Sequence, residues 1–269
     1  MITSPSNEKI KLVRALQDKR RTREAEQLFV VEGIRLVEEA LRARAPIKLV
    51  LHTDDLDPRG QAALSELTRL DIPVETVTPK VMAAASDTET PQGLLALATL
   101  PSSSLLLPPS FSFALTLDKL SDPGNLGTIL RTADAAGVEA VFIAPDTVDV
   151  YNPKVVRAAM GAHFHIPIVE ASWESLAERL AGLEVWLAEA RAGEAYHQVD
   201  WRQPCALIIG SEAEGPSAAA RRLARHGVHI PMPGQAESLN AAVAAGILLF
   251  EVAKQRSRRS RMPRTASRE

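Results

Sequence analysis

One stretch constrains this chain more than any other: Ile230-Pro-Met-Pro-Gly-Gln-Ala-Glu-Ser-Leu-Asn240, passing directly into Ala241-Ala-Val-Ala-Ala-Gly-Ile-Leu-Leu-Phe-Glu251. Its first half cannot be regular structure, because Pro231, Pro233 and Gly234 interrupt any helix or central strand. Its second half is nearly all apolar and long enough for a buried helix. Ser238 and Asn240 stand where that helix would begin, and both are good cap residues. A strand end at Val228–Ile230 therefore feeds a stiff polar loop that feeds a buried helix. Such a loop fixes backbone N–H and C=O groups in place, which suits a small polar ligand. Read alone, it is more readily an ordinary strand–loop–helix joint.

The rest of the chain alternates strand and helix. Residues 7–22 have helical spacing through Ile10, Val13 and Leu16. Strands are expected at 29–32, 47–51, 74–77 and 93–98, with helices at 33–44, 61–70 and a short one ending near Ala85. Pro101-Ser-Ser-Ser-Leu-Leu-Leu-Pro-Pro-Ser110 propagates neither helix nor sheet and reads as a linker. A second alternation follows, with strands at 113–117, 140–143, 166–169, 185–188 and 206–209. Helices are expected from about Asn125 to Ala136, at 152–162, 173–183 and 217–225, with Asn125 as the cap of the first. Purely apolar strands between helices imply a parallel sheet covered on both faces. The expected domains are 1–100, a 101–111 linker, 112–256, and a basic tail at 257–269.

The formal charge of −2 conceals basic ends: Lys9, Lys11, Arg14, Lys19, Arg20, Arg21 and Arg23 at one, Lys254, Arg256, Arg258, Arg259, Arg261, Arg264 and Arg268 at the other. Basic ends on a near-neutral body fit a polyanion such as RNA, and also fit solvated helix faces. No apolar run approaches the ~20 residues that span a bilayer, and the first residues lack a signal-peptide core, so a cytoplasmic location is expected. The single cysteine, Cys205, lies in an apolar run and reads as core. His163, His165, His226 and His229 lack companion ligands, so no metal is expected. Tyr196 and Trp201 are either packing residues or a base-stacking loop.

In a parallel α/β sheet, ligands sit beyond the carboxyl ends of strands. Three motifs occupy such places: Asp118-Lys-Leu-Ser-Asp-Pro-Gly-Asn-Leu-Gly-Thr-Ile-Leu-Arg131, Gly210-Ser-Glu-Ala-Glu-Gly215, and the 230–240 stretch. Gly127 and Arg131, four apart, share a helix face. Neither glycine motif has the spacing of a nucleotide phosphate cradle.

Together, in this order, the three motifs resemble those of the SpoU (TrmH) RNA ribose 2′-O-methyltransferases of the SPOUT superfamily. Ser6-Asn-Glu-Lys-Ile-Lys-Leu12 and Phe29-Val-Val-Glu-Gly33 resemble the substrate-binding domain often joined to them, a ribosomal-protein-like α/β fold. The resemblance implies a C-terminal parallel-sheet α/β domain with a deep trefoil knot, S-adenosyl-L-methionine as methyl donor, and a homodimer acting on RNA. By position, Gly210, Ile230, Met232 and Leu239 would hold the donor. Asn125, Arg131, Glu212, Ser238 and Asn240 match active-site positions. The family often has a serine where this chain has Ala242, so a hydroxyl is missing there. Asn152-Pro-Lys-Val-Val-Arg-Ala-Ala-Met-Gly161 resembles a segment near the RNA pocket, with Arg157 against phosphate. Lys9, Lys11 and Arg14 are the other expected RNA contacts.

The implied chemistry is attack of a ribose 2′-oxygen on a sulfonium methyl. Arginine stays protonated, so Arg131 is expected to stabilise the developing alkoxide by charge, while a phosphate or water takes the proton. Ribosomal RNA is the expected substrate. A transfer RNA substrate, a non-catalytic RNA-binding factor and a small-molecule α/β enzyme are the rivals.

Overall fold

The structure is a computed structural model, and it describes residues 1–101, 107–190, 192–211 and 215–260, the side chains of 258–260 excepted. It divides into two units: residues 1–102 with 149–165, and residues 103–148 with 166–269.

The first unit carries helices α1 (Glu8–Asp18), α2 (Arg20–Glu26), α3 (Ile34–Arg42), α4 (Pro58–Arg69) and α5 (Pro79–Ala85) around strands β1 (Leu28–Glu32), β2 (Ile47–His52), β3 (Val74–Thr76) and β4 (Leu94–Thr99). The sheet order is β1-β4-β2-β3, antiparallel except for β2 against β3. The two-residue period of a strand sends alternate side chains to opposite faces, and β4 obeys it. Leu94, Ala96 and Ala98 join α3 and α4 through Val37, Ala40 and Leu67, while Leu95 and Leu97 join α1 and α5 through Ile10, Val13 and Met82. Each fully buried aliphatic side chain of this kind contributes roughly 1.5–3 kcal/mol.

The second unit carries β5 (Phe113–Leu117), α6 (Pro123–Ala136), β6 (Ala140–Ile143), β7 (Ile168–Glu170), α8 (Trp173–Arg179), β8 (Glu184–Ala188), β9 (Glu194–Ala195), β10 (Cys205–Ile209), α9 (Ala218–Leu223), β11 (His226–His229) and α10 (Ala241–Ser260). Among the described residues the sheet has seven strands in the order β7-β6-β5-β10-β8-β11-β9, every pairing parallel. All five residues of β5 and of β10 are buried, so both faces of the sheet centre are covered, as the apolar runs predict.

Several boundaries differ from those expected. Helix α6 is capped by Asp122, whose Oδ1 accepts the Asn125 N–H at 2.7 Å; Pro123 fills the first helical position, which suits its fixed φ, and Asn125 is freed for another partner. The expected 7–22 helix breaks at Lys19 (φ −126°, ψ 115°). The expected 112–256 domain also differs at two places. Residues 149–165, comprising α7 (Pro153–Ala159) and a 3-10 turn at Ala162–Phe164, belong with the first unit. There Val156, Tyr151 and Phe164 pack into its core, and the Arg23 guanidinium pairs with Asp149. Helix α10 continues to Ser260, past the expected start of the tail at 257. Residues 102–106 of the linker and 261–269 of the tail lie outside the described residues.

Candidate functional site

β5, β10, β8 and β11 are consecutive neighbours in the parallel sheet, so the loops after them gather along one carboxyl edge. A cavity of about 180 Å³ opens there. After β10 it is lined by Gly210, Ser211, Gly215 and Pro216, and after β11 by Ile230, Met232, Glu237, Ser238 and Leu239. Ala241, Ala244 and Leu248 of α10 close another side. All four residues expected to hold a donor therefore line one cavity, with Ser238 beside them. Gly210 has a packing reason to lack a side chain: a Cβ there would stand 2.9 Å from Pro216 Cα.

Asn240 does two jobs. Its Oδ1 accepts the N–H groups of Ala242 (3.0 Å) and Val243 (3.3 Å), capping α10, while its Nδ2 donates to Asn125 Oδ1 at 3.0 Å. The loop after β5 and the loop after β11, 115 residues apart in sequence, are thereby joined side chain to side chain. Ala242, where a hydroxyl was expected by resemblance, is a buried first-turn residue of that helix.

Arg131 lies on the third turn of α6, exposed, and among the described residues it makes no hydrogen bond or ion pair. Neither it, Asn125 nor Asn240 lines the cavity. Glu212 lies outside the described residues.

The expected RNA contacts fall in the first unit. Lys9 pairs with Glu75, whose carboxyl it holds below the usual range. Lys11 pairs with Glu8 at 2.7 Å, and Arg14 is exposed. Arg157 Nη2 donates to Asp87 Oδ2 at 2.8 Å, and its Nη1 is enclosed without a partner. Two other basic residues are structural. Arg23, 4% exposed, donates through Nε to Asp149 at 2.9 Å and through Nη1 to the Leu16 and Gln17 carbonyls. Arg256 donates to the carbonyls of Trp201 (3.0 Å), Ser112 (2.9 Å) and Gln203 (2.8 Å) and lies 4.9 Å from the Phe113 ring centroid.

Sequence reading missed Glu189 and Ala190, which follow β8 and line the cavity. Their signal was available: β8 is another apolar strand of the parallel sheet, and the residues just past such a strand face the ligand edge. Glu189 is held by Arg221 of α9. Trp201 is fully buried, its Nε1 donating to the Tyr196 carbonyl at 2.8 Å, so it packs. Burial also pushes the Cys205 thiol up to about 11 and the His163 imidazole down to about 4. Among the described residues no cluster of His, Cys, Asp or Glu is arranged to hold a metal, and no helix is long and apolar enough to cross a membrane.

Comparison with known proteins places these features in a lineage. Residues 112–250 match the SpoU rRNA Methylase family, and residues 7–96 match an MRM3-like substrate binding domain. The 23S rRNA (guanosine(2553)-2′-O)-methyltransferase RlmP of Bacillus subtilis is 36% identical over 93% of this chain and 98% of its own. The 23S rRNA (uridine(2479)-2′-O)-methyltransferase of Streptomyces viridochromogenes is 34% identical over 88% of this chain and 85% of its own. The crystal structure of an AdoMet-bound rRNA methyltransferase from Sinorhizobium meliloti superposes with a TM-score of 0.82 at 31% identity, covering 97% of this chain and 98% of that one.

Proposed function

The chain belongs to the SpoU rRNA methylase family, and from that premise we propose that it transfers a methyl group from S-adenosyl-L-methionine to a ribose 2′-oxygen of ribosomal RNA. The observation that carries this reading is the convergence of Gly210, Ile230, Met232, Ser238 and Leu239 on one cavity at the carboxyl edge of a parallel sheet. The residues present fit a nucleoside donor. Ile209, Val228, Met232 and Leu248 give apolar walls for a flat base, and the loops after β10 and β11 bring backbone polar groups to the same place. When bound, the donor supplies an electrophilic methyl on a sulfonium.

The chain's own residues supply the rest. Asn240 and Asn125 lock the two loops that flank the reacting centre. Arg131, exposed and unpaired among the described residues, is free to face an anionic partner. Its permanent charge lowers the cost of negative charge on the 2′-oxygen, and the proton passes to a phosphate or water, since a guanidinium has no capacity to take it. Glu212 and Ser238 are the remaining polar groups assigned to the active site.

The first unit supplies RNA recognition through Lys9, Lys11, Arg14 and Arg157, contacts to phosphate that fix position rather than sequence. The named relatives include one that acts on a guanosine and one that acts on a uridine, so the ribose is what their reactions share, and a 2′-OH target requires RNA over DNA. A homodimer fits the surface of α10, where Val243 and Phe250, seven residues apart, are each 51% exposed. Such a pair lies on one helix stripe and is the kind of apolar surface a partner covers. The trefoil knot and a cytoplasmic location remain part of the same proposal.

Calorimetry with S-adenosyl-L-methionine, followed by methyl transfer to bulk ribosomal RNA, tests the reading. Donor binding with transfer supports it. Donor binding without transfer to any RNA would reduce the protein to a binding factor.

A further inference from the structure

We propose that Asp118 is a positioning residue that ties the end of β10 to the start of α9, and through Gly210, Ser211, Gly215 and Pro216 sets the shape of the donor cavity. Asp118 follows β5 and is fully buried. Its backbone N–H donates to the Ile209 carbonyl at 2.9 Å, just before the loop begins. Its carboxylate Oδ2 accepts the Ser217 N–H at 2.7 Å, just after the loop ends. One residue of the neighbouring strand thus grips both ends. Between those grips the described residues lie close together. Ser211 and Gly215 form an antiparallel bridge, and Gly210 lies against the Pro216 backbone so closely that a Cβ would stand 2.9 Å from Pro216 Cα. Gly210, Ser211, Gly215 and Pro216 all line the cavity, so its wall on this side is held by Asp118, which itself does not line it.

Two further observations separate this from ordinary packing. The second carboxylate oxygen, Oδ1, is enclosed with no partner, as is the hydroxyl of Thr116 two residues earlier. Residues two apart on a strand share a face. A carboxylate buried with one oxygen unsatisfied is unfavourable for the fold. What an apolar residue cannot do is hold the Ser217 N–H.

The inference rests on the donor reading of the cavity, and its test is arranged to stand apart from that reading. Asp118→Ala removes the acceptor, Asp118→Leu removes it while filling the space, and Asp118→Asn keeps an acceptor oxygen. Ser217→Ala removes only the hydroxyl that caps α9 and serves as the control. Amide hydrogen exchange at Gly210, Ser211 and Gly215 should accelerate by roughly tenfold or more in Asp118→Ala and Asp118→Leu, with Ser217→Ala and Asp118→Asn staying near the wild-type rate. Affinity for S-adenosyl-L-homocysteine should weaken about tenfold in the same two accelerated variants, with affinity for ribosomal RNA unchanged. If Asp118→Ala does not fold, Asp118→Leu decides. Unchanged exchange at Gly210, Ser211 and Gly215 in Asp118→Leu overturns the proposal, as does equal acceleration in Ser217→Ala. A wild-type protein that binds no donor would count against the donor reading, while the exchange rates would still judge the Asp118 tie.

Discussion

Asn240 Nδ2 donates to Asn125 Oδ1 at 3.0 Å while Asn240 Oδ1 caps helix α10. One amide therefore serves a stability role with its oxygen and a site-forming role with its nitrogen, and the two can be separated. Asn240→Asp keeps the cap acceptor and loses the donor. It should leave thermal stability within ~0.5 kcal/mol of wild type, because Asp and Asn cap about equally well, and lower methyl transfer by about tenfold or more. Asn240→Ala loses both and should also cost ~1 kcal/mol in denaturant unfolding. An Asn240→Asp enzyme with wild-type turnover would remove the Asn125–Asn240 bond from the mechanism.

Arg131 should behave as a residue whose whole value is in the reaction. It is exposed and makes no hydrogen bond or ion pair among the described residues, so Arg131→Ala should change stability by less than ~0.5 kcal/mol. Donor affinity should hold, and turnover should fall by about 10²–10³-fold, as expected for losing one preorganised charge at a developing oxyanion. Arg131→Lys restores charge without the planar fork. Near-full turnover in that variant, with normal RNA binding, would mean that the guanidinium geometry is dispensable.

How much of this was legible in the residues depended on the range of the interaction. The apolar strands Phe113–Leu117 and Cys205–Ile209 announced a covered parallel sheet, because burial on both faces leaves no polar position to alternate. Gly210, Ile230, Met232 and Leu239, which line one cavity, were reached through the resemblance of their motifs, and the loops after apolar strands agreed with it. Local chemistry was misread at the start of α6, where Asn125 looked like the cap although Asp122 followed by Pro123 was the stronger signal. Long-range pairing was not legible at all. Arg23 and Arg256 read as exposed cations, facing RNA or solvent, yet one reaches Asp149 126 residues away and the other reaches Ser112 144 residues away. Nothing in a local window distinguishes a buried arginine from an exposed one when its partners are that distant.

Arg23 gives the third prediction. Arg23 and Asp149 are buried together, at 5% and 12% side-chain exposure, and the pair ties the 149–165 segment to the first unit. Arg23→Ala leaves a buried carboxylate without its partner and should cost ~3–5 kcal/mol, read as a lower urea midpoint. Arg23→Ala with an unchanged midpoint would mean that the segment is held by its apolar contacts alone.

His163 gives a pH dependence. Burial holds its imidazole near 4 in the folded chain, against roughly 6.5 when unfolded. Between those values the unfolded chain binds a proton that the folded chain does not, so stability is full above about pH 6.5 and declines as pH falls through the window toward 4. His163→Gln, which does not titrate, should flatten that part of the stability-versus-pH curve. An identical slope in the variant would assign the acid sensitivity to other groups.

Methyl transfer to a ribosomal ribose is read most plainly from a nucleotide-resolution map of 2′-O-methyl groups in ribosomal and transfer RNA from cells with and without the gene. A 2′-O-methyl in ribosomal RNA should disappear with the gene and return with the wild-type chain but not with Arg131→Ala. Identical maps in the two strains, or a lost methyl that sits on a base rather than on a ribose oxygen, would contradict it.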